Sequence, residues 1–394
     1  MELTNKQEQG LKIAVERYRN KEPYTVISGY AGTGKSTLVQ YIVEALNLNP
    51  DDVAYIAYTG KAANVLQSKN CPNATTAHKF LYNYQFLPRQ KIYNQIPKET
   101  LDKNYKLIIV DEISMLPKKM WNLLLSHKVH VIACGDPFQL PPINKLEDNQ
   151  VLNEPHIFLD EIVRQAAENE IIRFSMDLRM GKPIAYQANE NVCVVPYSKV
   201  TNDMLLWGDQ LIAATNQRRH FLNSTIRDLL KKGKDPEVGD KIICLQNRWD
   251  ITDNTHTTSL VNGTIGTIDK VEFSERQFEN YKDKMIVPVA KISFTTPYGE
   301  HFSEIEGDRQ ALTESIKTLN AKQEQRIRGF NPFDKNIAPV EFNYAYAITC
   351  HKAQGSQWDN VVVFEEKYPF DTIEHYKWLY TACTRASENL ILVR

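Results

Sequence analysis

Residues 24–46 read YTVISGYAGTGKSTLVQYIVEAL. A short, β-branched apolar run ends in a glycine-rich turn, and a Lys-Ser pair opens an amphipathic helical pattern. Within it, residues 29–36, Gly-Tyr-Ala-Gly-Thr-Gly-Lys-Ser, satisfy G-x-x-x-x-G-K-[ST]. Glycines let such a loop curl until successive backbone N–H groups point inward at phosphate oxygens, and the following helix adds its positive dipole end. The spacing predicts a triphosphate cradle formed by Gly32, Thr33, Gly34, Lys35, Ser36 and Thr37. Lys35 reaches the β- and γ-phosphates of ATP, and the Ser36 hydroxyl ligates Mg2+.

Working outward, apolar runs at 53–58 (VAYIAY), 106–110 (KLIIV) and 129–135 (VHVIACG) alternate with helical stretches, as buried parallel strands do. A second set follows at 210–215, 342–349, 360–364 and 389–393, so two α/β units are expected. The run KLIIVDEISML ends its strand in Asp111-Glu112, at the sheet edge where ligands of α/β folds sit. Asp111 is expected to hold the magnesium and Glu112 to orient or deprotonate an attacking water, which predicts hydrolysis rather than storage of the nucleotide. Between the α/β segments, 238–247, 260–273 and 287–294 alternate with period two, and Asn262-Gly263 predicts a tight hairpin. A polar, basic stretch at 311–330 reads as helical. Residues 84–94 (YQFLPRQKIYN) read as a hairpin inserted in the first unit.

The length, 394 residues, favours more than one core. No run of about eighteen apolar residues and no leader-like N-terminus is present, and the six cysteines are scattered without a C-x-x-C pair. These features predict a cytoplasmic chain with no membrane, zinc or disulfide requirement. The formal net charge of −1 neither argues for a nucleic-acid partner nor excludes one, because a partner reads only a groove.

The remaining motifs carry a family resemblance. VDEISML and VIACGDPFQLPPI (131–143) resemble motifs II and III of superfamily 1 helicases. LTNKQEQGL (3–11) is similar to the adenine-reading Gln motif, AYTGKAANVL (57–66) to motif Ia and TTAHKFL (75–81) to motif Ib. Residues 158–181 resemble motif IV, YAITCHKAQGSQWDNVVV (346–363) motif V, and LYTACTRASENLILV (379–393) motif VI. The strings look most like branch B, the RecD/Dda type. That resemblance implies two RecA-like P-loop domains with a small β-hairpin pin in the first and an SH3-like β-barrel insert in the second. It implies boundaries at 1–155, 156–235, 236–340 and 341–394. It also implies a 5′-to-3′ single-stranded DNA translocase that unwinds duplexes and fork junctions as a monomer, with a single-strand-binding or replisome protein as a possible partner.

By the same resemblance, Gln7 and Gly355 join the ATP site, Gln139 senses the γ-phosphate, and Arg164 and Arg385 supply its countercharge. The two arginines would reach the phosphate only when the two α/β units close over it. Thr59, Lys61, Thr76 and His78 in the first half, and Thr349, His351 and Lys352 in the second, would grip the strand. Phe86 and Phe138, and also Trp249 and Trp378, offer aromatic faces for bases, with Leu87 and Pro88 near the tip of the pin. The short pin keeps a second reading open, an ATPase that remodels protein–nucleic-acid complexes without separating strands. An RNA helicase is a third, because contacts to a 2′-hydroxyl cannot be located in a sequence.

Overall fold

The structure, a computed structural model, describes residues 3–68, 71, 73–87, 92–141, 148–163, 168–255, 258–279, 284–314, 327, 338–366 and 372–394. The chain forms two compact units. The first contains Met1–Tyr82, Pro97–Thr215 and Thr349–Arg394, and the second Asn83–Ile96 and Asn216–Ile348.

In the first unit, the glycine-rich loop follows β1 (Tyr24–Gly29). This strand lies in a sheet with β2 (Val53–Ala57), β3 (Thr75–Thr76), β6 (Leu107–Val110), β7 (His130–Gly135) and β8 (Ile157–Leu159), in the order β3-β2-β6-β7-β1-β8. Every pairing is parallel. The side chains of β6 and β7 are buried along the whole strand, so alternate residues must find cover on opposite faces. Leu107, Ile109 and Ile132 pack with Ala14, Leu38 and Ile42 on one face. Ile108, Val110, Val131 and Ala133 pack with Phe80, Met120, Trp121 and Leu124 on the other. Because β6, β7 and β1 are neighbours pointing the same way, the loops leaving their C-terminal ends lie side by side. The helix Asn5–Arg19 is started by Thr4, whose side chain and backbone form a reciprocal capping box with Gln7.

A second sheet in the same unit holds β9 (Gln187–Ala188), β10 (Val192–Val195), β11 (Gln210–Ala213), β20 (Trp358–Phe364) and β21 (Ala386–Val393). Strands β11, β20, β21 and β10 are successive parallel neighbours, and β9 pairs antiparallel with β10. The helix Thr372–Cys383 packs beneath it and leads into β21. Trp378 on that helix is 2% exposed and belongs to the core, which corrects its expected role as a base-stacking aromatic.

In the second unit, β12 (Lys241–Cys244), β15 (Ile265–Glu279), β16 (Lys284–Thr295), β17 (His301–Asp308) and β18 (Phe342–Tyr344) form an antiparallel sheet, ordered β17-β16-β15-β12-β18. Phe294 stacks on Phe302 at 5.1 Å and meets Phe342 edge-on at 5.8 Å. Strands β13 (Arg248–Thr252) and β14 (Ser259–Leu260) pair separately, as do β4 (Tyr82–Leu87) and β5 (Ile92–Pro97). The hairpin expected at 84–94 therefore has its two strands, while its tip, including Pro88, lies outside the described residues.

Two expectations are corrected. Asn262-Gly263 makes a tight turn, with Thr264 N–H on Val261 O at 3.0 Å and Gly263 at φ 94°, but not a hairpin. Only the glycine has positive φ, a type II pattern, and the strands on either side pair with different partners. The run 342–349 is two strands, β18 and β19 (Ala347–Thr349), with a break at 345–346; Ala345 N–H on Lys241 O still follows the β12–β18 register. The helix Asn216–Leu229 falls in the second compact unit. Of the 311–330 stretch, the helix Arg309–Glu314 covers the start, and the basic run 322–328 lies outside the described residues except for buried Ile327.

Helix Asn216–Leu229 places Arg219 beside His220, whose Nε2 accepts from the guanidinium at 3.1 Å. That bond requires a neutral ring, and burial together with the Arg219 charge pushes the His220 pKa down to about 4. The unfolded chain takes up this proton near 6.5 while the folded chain resists it until about 4, so stability falls as the pH drops through that window. In urea unfolding followed between pH 7 and 4, His220→Gln is expected to lose less stability than the parent; equal losses would remove His220 from the account.

Candidate nucleotide-binding active site

The loops leaving β1, β6 and β7, together with residues from the second sheet, line a cavity of about 410 Å3. From the first sheet come Gly32, Lys35, Ser36, Asp111, Glu112 and Gln139. From the second sheet's side come Gly355, Ser356, Thr384 and Arg385. Six of the positions singled out for chemistry therefore meet in one place, all inside the first compact unit. Arg385 already faces that cavity beside Glu112. Arg164 lies outside the described residues. Its neighbour Val163 donates its N–H to Gly32 O at 3.0 Å.

The loop itself is held from several sides. Gly32 and Gly34 both sit at φ 76°, a conformation that L side chains resist. Lys35 Nζ donates to Gly29 O at 2.7 Å and Tyr30 O at 2.9 Å. Thr33, also buried, donates its hydroxyl to Tyr30 O. Gln7, only 2% exposed, spends both ends of its amide: Oε1 accepts from Thr4 N–H, and Nε2 donates to Thr33 O at 3.2 Å and Gly34 O at 3.4 Å. Its observed work is thus to tie the first helix to the phosphate loop. Arg179 lies over the Tyr30 ring at 3.6 Å, a loop contact that no motif string announced. Thr37 sits within helix Lys35–Ala45, in its first turn.

The acidic pair has two different settings. Asp111 Oδ1 accepts the N–H of Glu112 at 3.0 Å. Glu112 sits at φ 51° and ψ 50°, a left-handed conformation a non-glycine residue adopts only under constraint. About a fifth of its side chain is open to the cavity, yet Oε2 is enclosed and has no hydrogen-bond partner among the described residues. Burial raises its pKa above the usual 4.5; Arg385 and Lys35 oppose that, and Asp111 and Asp136 add to it.

Arg385 is 3% exposed. Its Nε donates to Thr381 O at 3.0 Å, Nη1 to Ser356 O at 3.2 Å and Nη2 to Thr384 Oγ1 at 3.2 Å, and Nη1 lies 3.8 Å from Glu112 Oε1. The sequence reading missed Ser356 and Thr384, which orient this guanidinium. It also missed Asp136 and Tyr380, although both stand inside quoted strings, GDPFQ and LYTACTR. No residue type marks them as more than core; only their geometry does.

Other positions fall around this cavity or away from it. Thr59 caps the helix Gly60–Ser68 through Ala62 N–H at 3.2 Å, and a Cβ built on Gly355 would lie 3.0 Å from its Oγ1. Lys61 lies in that helix's first turn. Thr76 caps the helix Ala77–Leu81, and His78 stacks against Tyr82 at 6.2 Å with Tyr58 at 5.7 Å. Thr349 precedes the short helix Cys350–Ala353, which carries His351 and Lys352. Burial pushes the pKa of both His78 and His351 down, which favours neutral rings. Phe138 is half-buried, edge-on to Tyr380 at 5.3 Å. Phe86 lies on β4 and Trp249 on β13. All six cysteines are free. Among the described residues no helix is long and apolar enough to cross a membrane.

A phosphate loop and an acidic strand end on one parallel sheet, facing an arginine from a second, define a P-loop nucleotide hydrolase. The AAA domain family matches residues 2–195, and the UvrD-like helicase C-terminal domain family matches residues 344–393. The ATP-dependent DNA helicase dda of Enterobacteria phage T4 is 24% identical, over 100% of this chain and 99% of its own. The ATP-dependent RecD2 DNA helicase of Deinococcus radiodurans is 25% identical over 92% of this chain, which spans only 46% of that relative's length. The structure of a Pif1 helicase from Bacteroides in complex with ADP-AlF3 and ssDNA is 17% identical, with a TM-score of 0.54 over 100% of this chain and 92% of that one. The chain belongs to the superfamily 1B helicases, and so to the ATP-hydrolysing DNA helicases as a class.

Gly34 offers a direct test of the loop's geometry. A Cβ there would fall 2.3 Å from Gln7 Nε2 in a backbone conformation at φ 76°. Gly34→Ala is expected to weaken ATP binding roughly five- to thirtyfold, since the left-handed strain is worth roughly 1–2 kcal/mol. Unchanged affinity by fluorescent-nucleotide titration would show that the loop does not need this shape.

Proposed function

We propose that the chain is an ATP-driven motor that moves 5′-to-3′ along single-stranded DNA and opens duplexes and fork junctions. The observation that carries this is the shared cavity, in which Lys35, Ser36, Asp111, Glu112, Gln139 and Arg385 converge from two sheets. On this reading the triphosphate enters beside Lys35, whose ammonium exchanges its loop carbonyls for β- and γ-phosphate oxygens. The Ser36 hydroxyl and the Asp111 carboxylate are hard oxygen donors on the same wall, a set that fits Mg2+. When bound, the magnesium neutralises charge on the β- and γ-phosphates. Glu112, its pKa raised by burial, is placed to take the proton of the attacking water. Gln139 and Arg385 meet the γ-phosphate, with Arg164 as a second cation; a planar guanidinium suits the spread charge of the transferring group.

The grip on the strand falls to Thr59, Lys61, Thr76, His78, Thr349, His351 and Lys352, with Phe86 and Phe138 against bases. Thr59 and Thr76 accept backbone N–H groups as helix caps, which leaves each hydroxyl proton to donate to a phosphate. The neutral rings of His78 and His351 serve as stacking faces or hydrogen-bond donors rather than cations. The closeness of Thr59 to Gly355 would let the nucleotide site and the track feel each other. We assign the β4–β5 hairpin as the strand-separating pin and the antiparallel sheet of the second unit as the SH3-like insert, with the chain acting as a monomer, its loading partner a single-strand-binding or replisome protein.

Duplexes carrying only a 5′ or only a 3′ single-stranded tail, in DNA and in RNA, test this reading. The parent chain with ATP and Mg2+ is expected to open the 5′-tailed DNA duplex and leave the 3′-tailed one closed, and Lys35→Ala to open neither. Opening from the 3′ tail, or an active Lys35→Ala, would refute the direction or the site respectively.

A further inference from the structure

Tyr380 is 1% exposed on the helix Thr372–Cys383, yet its hydroxyl is fully used at the edge of the nucleotide cavity. It accepts the N–H of Ala31 in the phosphate loop at 2.8 Å and donates to Asp136 Oδ2 at 2.5 Å. A tyrosine hydroxyl has one proton to give, and burial among these groups keeps that proton on it at neutral pH. Asp136, 4% exposed, uses its other oxygen to accept Phe138 N–H at 2.9 Å. At the far end of the same loop, Thr381 Oγ1 accepts Leu140 N–H at 2.9 Å, and Gln354 Nε2 donates to Leu140 O at 2.7 Å. The segment 136–140, which carries Gln139, is therefore fixed at both ends from the second sheet's side. Its first fixing point is the same oxygen atom that holds the phosphate loop.

We propose that Tyr380 is a positioning residue that couples the phosphate loop, through Ala31 N–H, to the placement of Gln139, through Asp136. The inference rests on the ATP-hydrolysing reading of the cavity and deepens it. Helix Thr372–Cys383 then does two jobs: its end sets Arg385 by accepting from it at Thr381 O, and its Tyr380 sets the loop opposite. A shift of the phosphate loop on nucleotide binding is passed by one shared hydroxyl to the loop bearing Gln139. Removing that hydroxyl leaves a buried amide and a buried carboxylate each short of a bond, so both loops lose their common reference.

The test is Tyr380→Phe, which keeps the ring and its edge contact with Phe138. Steady-state ATP hydrolysis is measured with saturating single-stranded DNA, together with the melting temperature. The expected result is a kcat about tenfold lower at a temperature where the variant is fully folded, with KM for ATP within about twofold and a melting temperature lowered by only a few degrees. In a Gln139→Ala background the same substitution is expected to cost little more, because the hydroxyl acts through the loop that carries Gln139. Parent-like kcat, losses that multiply in the double variant, or a loss that tracks unfolding would each overturn the proposal. If the parent chain itself hydrolyses no ATP, the functional reading fails and this inference with it. If the parent hydrolyses ATP and Tyr380→Phe matches it, only the coupling role is lost.

Discussion

A guanidinium stripped of water must find acceptors and an opposing charge, and Arg385 shows what that demand does to a fold. Its three acceptors, Thr381 O, Ser356 O and Thr384 Oγ1, come from the end of one helix and from the turn before β20. Its counter-carboxylate, Glu112, comes from the end of β6 in the other sheet. Thr381 and Thr384 are local to the arginine and Ser356 is 29 residues away, but Glu112 comes from the distant first half of the chain, so the arginine meets its opposing charge only where both sheets present their loops to one spot. At 3.8 Å the pair with Glu112 is not a closed ion pair, and Glu112 keeps an unbonded oxygen and a raised pKa. An arginine without a closed ion pair beside a carboxylate with an unbonded oxygen is a poor way to stabilise a protein and, on the proposed function, a good way to receive a polyphosphate and a water.

The rest of the first unit reads as support for that meeting point. Gln7 fixes the phosphate loop from the first helix, Arg179 covers Tyr30, and Tyr380 joins Ala31 to Asp136. Glu112 in a left-handed backbone conformation stores local strain, which persists because β6 and its neighbours over-determine the strand end. Rigid strands thus carry the chemistry in their terminal loops.

Much of this was legible in the sequence for one reason. Parallel strands buried on both faces write themselves as short apolar runs, and the residues just past the end of each run must lie at one sheet edge. Lys35, Asp111 and Gln139 come after three such runs, and the strand order β6-β7-β1 makes those edges neighbours. Arg385 needed the family strings, because nothing in TACTRA alone says that the arginine is buried. The misreadings are equally physical. Trp378 opens the run 378–383 that is buried all round its helix, a setting in which an aromatic packs in the core rather than on a base, and its polar neighbours at helical spacing did not announce it. Residues 342–349 are apolar almost throughout, so periodicity could not reveal the break at 345–346 between β18 and β19. Asn262-Gly263 has hairpin composition, but strand partners, not turn residues, decide which strands pair. Tyr380 and Asp136 were invisible because a hydroxyl bridge between distant loops leaves no local pattern.

If the chain is an ATP-driven motor, one cavity collects phosphate-directed groups from both sheets. The most direct measurement is a crystal structure of the chain with ADP and aluminium fluoride bound. The account places the fluoride-bearing group within hydrogen-bond reach, about 3 Å, of Lys35 Nζ, the Gln139 amide and the Arg385 guanidinium together. A complex in which Arg385 keeps only its bonds to Thr381, Ser356 and Thr384 and stays out of reach of the bound group would contradict it.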